Sequence, residues 1–172
     1  MMASVQNTMN WRLMEAADLA SVIDMAAVIH TDFHEDDIVY HERLSLYGKG
    51  CLVLEGAGNG LFGYAITHPW RLYTMPALNS ELGQLPEEPT TYYLHDIALL
   101  PQSRGTGAAG RIVSILAGHA AESGFETMSL VAVNGSSGFW QKQGFTIVDR
   151  PDLEAKLRTY SDDARFMLRQ LR

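Results

Sequence analysis

The 172-residue chain has a single cysteine, Cys51, so no disulfide can form within it. No apolar run approaches the ~18 residues of a membrane span. Between Met1 and Asp18 there is no basic stretch followed by an apolar one, the pattern of a secretory leader. An excess of positive charge is also missing. Lys and Arg number 13 against 20 Asp and Glu, a formal net charge of -7, whereas a nucleic-acid or anionic-membrane surface needs a basic footprint. There are no internal repeats and no low-complexity tracts, which excludes solenoids and long linkers. These absences leave the expectation of one cytoplasmic domain over residues 1–172, with no nucleic-acid partner and no membrane partner, and with a homodimer left open.

Hydrophobic residues make up 47% of the chain and charged residues 19%, enough apolar surface for a core and too little charge for disorder. The acidic excess is uneven. Residues 1–86 hold 4 Lys/Arg against 10 Asp/Glu, and residues 87–172 hold 9 against 10. An anionic cofactor meets less repulsion in the second half, and a cationic substrate is better received by the first.

Periodicity sets the order of elements. Trp11 to Met14 alternates as a first strand. Leu19, Val22, Ile23, Ala26, Ala27 and Ile29 follow helical spacing, with Asp18 at the N-cap position. A second helix is expected over Asp37–Tyr47, closed by Gly48. Cys51–Glu55 and Leu61–His68 read as a β-hairpin around the glycine-rich turn 56–60, and residues 69–89, with four prolines, as a long irregular loop. Thr90–Leu100 is the strongest strand. Helix Ala108–Ser123 then has Ile112, Ile115, Leu116 and His119 on one face and Gly124 at its C-cap. Strand Glu126–Val133, helix Ser136–Gln143 and strands Phe145–Arg150 and Arg165–Leu171 complete the order β-α-α-β-β-β-α-β-α-β-β. This is a mixed α/β fold with a substantial antiparallel part.

Chemistry concentrates between the best strand and the best helix, in Leu99 to Gly110. Pro101 ends the strand, and Gly105 and Gly107 permit positive φ and close backbone approach. Small residues then open a helix whose first N–H groups lack intrahelical acceptors and whose dipole is positive there. Such a turn suits a phosphate or pyrophosphate. Gly105, Gly107 and Gly110 match the letters of the dinucleotide fingerprint. Its context does not match, because a Rossmann unit places that loop early in a βαβ unit with an acidic residue ~20 positions on. A nucleotide-binding oxidoreductase and a purely structural glycine turn remain competing readings at this stage.

Gln102-Ser103-Arg104-Gly105-Thr106-Gly107 resembles the Gln/Arg-x-x-Gly-x-Gly/Ala signature of the GCN5-related N-acetyltransferase (GNAT) superfamily. The strand before it, the helix after it, Val131–Asn134 downstream and the stretch Ser137–Phe145 resemble the same family in the same order. The resemblance is specific over residues 90–150 and only topological before that. It implies a GNAT fold: a central, mixed, mostly antiparallel twisted sheet of about six or seven strands flanked by about four helices. It also implies acetyl-CoA as cofactor, CoA as product, and direct acetyl transfer to the primary amine of a small molecule or peptide.

Carried over by that resemblance, the backbone of Arg104, Gly105, Thr106, Gly107, Ala108 and Ala109 would hold the diphosphate, with the Arg104 charge added. Ile97, Ala98 and Leu99 would pair with the pantetheine arm like an added strand. Asn134 would bond the arm from the opposite side, and Phe139, Trp140 and Lys142 would flank the thiol end or the adenosine. Core packing is the competing reading for Phe139. Attack by an amine needs a base, and His95 and Asp96 are the candidates. Strand alternation places them on opposite faces, so that at most one points into the cleft. For His95 a structural role competes.

One departure stands against the family pattern. Trp140 occupies the place of a tyrosine that often serves as thiolate acid, and an indole N–H has no useful acidity. That favours the rival reading, a non-catalytic acyl-CoA-binding or sensing module. Cys51 lies far from the motifs and is a poor nucleophile candidate. His30, His34, Asp37 and His41 have the spacing of one helical face, but the segment 31–37 reads as a helix break, so no metal site is expected. Glu35-Asp36-Asp37 reads as a solvated helix start, with attraction of a cationic amine as the minority option.

Overall fold

The computed structural model describes residues 9–171. Among these, seven strands form one sheet in the order β1-β2-β3-β4-β5-β7-β6. They are β1 (Asn10–Leu13), β2 (Cys51–Glu55), β3 (Leu61–Trp70), β4 (Thr91–Leu99), β5 (Thr127–Ala132), β6 (Thr146–Ile147) and β7 (Arg165–Gln170). Helices α1 (Leu19–Ile29) and α2 (Asp37–Leu46) follow β1; α3 (Ala108–Glu122) follows β4; α4 (Ser137–Lys142) and the short α5 (Glu154–Arg158) flank β6. The β4–β5 pair is parallel and every other pair antiparallel.

The expected order holds, with local differences. Pro69 lies inside β3 rather than in the loop after it. The strand expected over Phe145–Arg150 narrows to Thr146–Ile147, and α5 stands as a fifth helix before β7. Only five residues long, α5 offers too few turns for a period to show. Ile115 is 44% exposed, so the buried face of α3 is carried by Ile112, Val113 and Leu116. Asp18 makes no cap bond to α1; its carboxylate takes both Nη groups of Arg12 and the Glu15 amide instead.

Each sheet face is covered. On one side Ile112, Val113 and Leu116 of α3 pack on Leu52, Ala65, Tyr92, Leu94, Met128 and Leu130. On the other, Leu19, Val22, Met25 and Ala26 of α1 and Tyr40 of α2 pack on Cys51, Val53, Tyr64, Ile66 and Ala98. These two sets expose a break of alternation in β4. Leu94 belongs to the α3 side and Ala98, an even number of residues on, to the α1 side. The register explains this: Ile66 pairs with Asp96 and Thr67 with Leu94, so His95 has no partner across the ladder. An extra residue in one strand is a β-bulge, and everything beyond it changes face.

The network behind β4 tolerates little added bulk. A Cβ on Gly50 would lie 2.3 Å from the Thr67 carbonyl oxygen and 2.7 Å from the Tyr92 hydroxyl. Thr67 and Tyr92 themselves bond at 2.6 Å. Gly50→Ala should cost about 1–3 kcal/mol, read as a lowered urea midpoint with unchanged slope; an unaltered midpoint would refute this packing.

Candidate active site

The parallel pairing of β4 with β5 covers three positions only, Tyr92–Leu94 against Met128–Leu130. Beyond Leu94 the two strands part. The opening is a cleft of about 750 Å³ with β4 residues His95 to Leu99 along one wall and Val131, Val133 and Asn134 along the other. Asn134 adopts a positive φ of 56°, which turns the chain toward α4. Phe139 and Trp140 of α4 also face this cleft. Trp140 packs edge-on against Phe145 with ring centroids 5.4 Å apart.

At the far end of the cleft lies the glycine loop. Pro101 opens a single 3₁₀ turn, Gly105 and Gly107 take φ of 79° and 82°, and Gly107 is the N-cap of α3. The left-handed geometry needs glycine, and it sends the start of α3 into the cleft. Ser103, Arg104, Gly105, Gly107, Ala108 and Ala109 line the opening. Ala108 N–H makes only a long contact, 3.4 Å, to Thr106 Oγ1. From the other side, Trp11 of β1 donates to the Ala108 carbonyl at 3.0 Å and so anchors this helix start.

The near end holds two histidine–carboxylate pairs. His95 Nε2 lies 2.8 Å from Glu35 Oε1, both side chains under 10% exposed. His30, at the C-cap of α1, places Nε2 2.9 Å from Asp96 Oδ1, and the Tyr64 hydroxyl donates to Asp96 Oδ2 at 2.5 Å. The bulge makes this possible. Tyr93 and His95 precede the change of face and Asp96 and Ala98 follow it, so the consecutive His95 and Asp96 both face the α1 side. The expectation that only one of them enters the cleft is therefore overturned; both line it.

Electrostatics separates the two pairs. Burial alone would lower the His30 pKa, but the Asp96 carboxylate outweighs it and holds the imidazole above its ordinary value. Burial alone would raise the Glu35 carboxyl, but His95, the Asn79 amide and the Arg43 guanidinium hold it below. Glu35 is thus an acceptor-only carboxylate, and His95 Nε2 carries the hydrogen toward it. That leaves Nδ1 as the ring nitrogen not engaged by Glu35. Cys51 is fully buried and burial pushes its thiol up to about 12, which removes it as a nucleophile.

Residues 16–145 match the family model described as the acetyltransferase (GNAT) family. The chain belongs to this family. No curated protein sequence matches it. Solved structures share the GNAT fold at low identity. A GNAT-like decarboxylase, GphF, in complex with isobutyryl-CoA superposes with a TM-score of 0.78 at 16% identity, covering 95% of this chain and 100% of that one. The loading GNATL domain of CurA from Lyngbya majuscula gives 0.77 at 16%, covering 96% and 98%. Ard1 from Thermoplasma volcanium gives 0.71 at 15%, covering 95% and 97%.

Within this GNAT chain, the cleft gathers most of the residues singled out by the motif: His95, Asp96, Ile97, Ala98, Leu99, Arg104, Gly105, Gly107, Ala108, Ala109, Asn134, Phe139 and Trp140. Thr106 turns its hydroxyl to the Ser103 carbonyl at 2.5 Å, and Lys142 is exposed at the end of α4, outside the lining. Three further groups at this end were not legible as such: His30, which lines the cleft, and Glu35 and Tyr64, which bond His95 and Asp96. Glu35 is 7% exposed, so the reading of 35–37 as a solvated helix start holds only for Asp36 and Asp37. The available signal was the grouping of acids and histidines around the α1–α2 break, which reads as a solvated helix start.

Opposite pH dependences follow from the two pairs. Glu35, with its pKa lowered on folding, stabilises the fold above its unfolded value near 4.5 and loses that contribution as pH falls through the folded value. His30, with its pKa raised, stabilises the fold below 6.5 and loses that contribution as pH rises through the folded value. Denaturation midpoints across about pH 2 to 9 should therefore show Glu35→Gln flattening the acid side, below about 4.5, and His30→Gln the alkaline side, above about 6.5. Parallel curves for both variants and the parent would contradict the assignment.

Proposed function

We propose that the protein is an acetyl-CoA-dependent N-acetyltransferase that transfers acetyl directly to a primary amine, with CoA as product. The observation that carries this reading is one continuous cleft with the glycine loop and the start of α3 at one end and His95, bonded to Glu35, at the other. A diphosphate suits the first end. Gly105 and Gly107 bring the backbone close without side-chain bulk, the α3 dipole is positive there, and Arg104 adds a cation. The middle suits an extended amide chain, since the β4 edge from Ile97 to Leu99 has no strand beside it on the β5 side among the described residues.

When bound, acetyl-CoA supplies an acetyl group activated as a thioester. The chain's own residues supply the rest. Glu35 fixes the His95 ring through Nε2. His95 Nδ1 takes the ammonium proton of the acceptor, freeing the amine lone pair. Asp96 is the weaker candidate base, because both its oxygens are already committed to His30 and Tyr64. The structure names no protein acid at the Trp140 position, so solvent completes the proton balance on the departing thiolate.

Calorimetry with CoA and acetyl-CoA, followed by free-thiol release with a panel of amines, tests this. Binding without thiol release for any amine would favour the acyl-CoA sensing module; stabilisation by NAD alone would overturn both. His95→Ala should lower turnover by roughly 10²–10⁴-fold with CoA affinity retained. Arg104→Glu should weaken CoA binding, and Gly107→Glu should abolish it. The Arg104 variant separates charge from backbone strain, because Gly107 has positive φ whereas Arg104, as a C-cap with φ of -69°, does not.

A further inference from the structure

The end of the cleft beyond His95 continues into a pocket of about 70 Å³ whose chemistry is narrower than that of a general amine site. Its walls are Phe33, Leu78, Tyr93, Val131, Val133 and Tyr160. Its polar rim is the pair of pairs already described, His30–Asp96 and His95–Glu35. Neither Lys nor Arg lines it among the described residues. Arg43 sits behind Glu35 but is shut away: its side chain is 1% exposed, and it bonds Glu42 and the Ser80 carbonyl. Its Nε and Nη2 are buried and without partners among the described residues, and Arg43 does not reach the lining.

The outer wall is tied in place. Residues 71–90 cross this end of the molecule and are bonded to the α1–α2 region at several points. Asn79 N–H donates to Glu35 Oε2 at 3.1 Å and Asn79 Oδ1 accepts from the Asp36 amide at 2.6 Å. Glu42 accepts from the amides of Leu82 and Gly83 at 2.6 and 3.0 Å. Leu78 is thus presented to the pocket by a strap with fixed ends rather than by a free loop.

We infer that the acceptor is an apolar monoamine, an alkyl- or arylalkylamine with no carboxylate and no second charge. The inference rests on the acetyltransferase reading of the same cleft. The ammonium sits beside His95 in the field of Glu35 and Asp96, whose oxygens are already bonded, and the hydrocarbon body lies against the apolar and aromatic wall. An amino acid would bring its carboxylate against the same two carboxylates, where the His30 imidazole at the rim is already engaged by Asp96. Burying such a group unpaired is costly. A diamine would bury its second ammonium against Leu78, Val131 and Val133.

Binding to the CoA-loaded protein isolates this inference from turnover. Phenethylamine and isopentylamine should bind at least about tenfold more tightly than phenylalanine, leucine or 1,4-diaminobutane, a discrimination expected when a charged group is left without a partner. Leu78→Arg should reverse the preference between phenethylamine and phenylalanine while CoA affinity, the measure of an intact fold, stays within twofold. Equal or tighter binding of an amino acid or the diamine overturns the inference, as does failure of either monoamine to bind. Monoamines that bind as expected but release no thiol from acetyl-CoA leave the pocket assignment standing and overturn the acetyltransferase reading instead.

Discussion

Everything chemical in this fold depends on β4 being held on one side and released on the other. Along β3 it is paired from Thr91 to Leu99, and along β5 for only three residues. A strand with one satisfied edge and one free edge is rigid enough to position side chains and open enough to accept an extended guest. The bulge at His95 sits where the release begins. It twists the strand away from β5 and turns two consecutive side chains to the same face. A regular strand could open a cleft or aim a histidine into it, but could not aim the adjoining aspartate there as well.

The two acidic groups so gathered are not spent in the same way. Asp96 is saturated by His30 and Tyr64, with burial and the carboxylate together keeping the Tyr64 hydroxyl protonated. It holds the His30 imidazole above its ordinary pKa. Glu35 holds one ring nitrogen of His95 and leaves the other available. One pair engages both oxygens of its carboxylate, and the other leaves a ring nitrogen of its histidine unengaged. That division follows from partner counts alone, and it distinguishes two histidines that the sequence presents alike. His68, whose ring centroid is 6.4 Å from that of His95, is excluded from proton traffic because burial drives its pKa down to about 3.

The part of the site legible in the sequence is the part built from local geometry. Gly105 and Gly107 announce a left-handed turn because few other residues adopt it, and the strand, turn and helix around them are contiguous in the chain. The acid–base end was legible only as the adjacent letters His95-Asp96, and their orientation was misjudged. A bulge inserts one residue without any compositional mark, so alternation was counted straight through it. Glu35 and His30 lie 60 and 66 positions away from their partners, at a helix break where acids ordinarily face water. Only the tertiary closure of α1 and α2 onto the sheet takes Glu35 out of solvent. Similarly, α5 is too short for a periodic signature, and the strap 71–90 read as loop because its order comes from bonds to α2, not from its own residues.

Glu35 joins two functions that are usually separable. Its Oε1 orients His95, and its Oε2 accepts the Asn79 amide from the strap that forms the pocket's outer wall. A buried carboxylate shared between two donors cannot move toward one without loosening the other. The position of the strap and the orientation of the His95 ring are therefore coupled through a single side chain. Substitutions in the strap that disturb Asn79 act on His95 at a distance, through Glu35. The acidic first half of the chain has its physical meaning here. Glu35, Asp36 and Glu42 each accept bonds that tie the strap to α1 and α2 or meet the acceptor side of the site. The nearly neutral second half carries the glycine loop, so the charge asymmetry follows the two ends of one cleft.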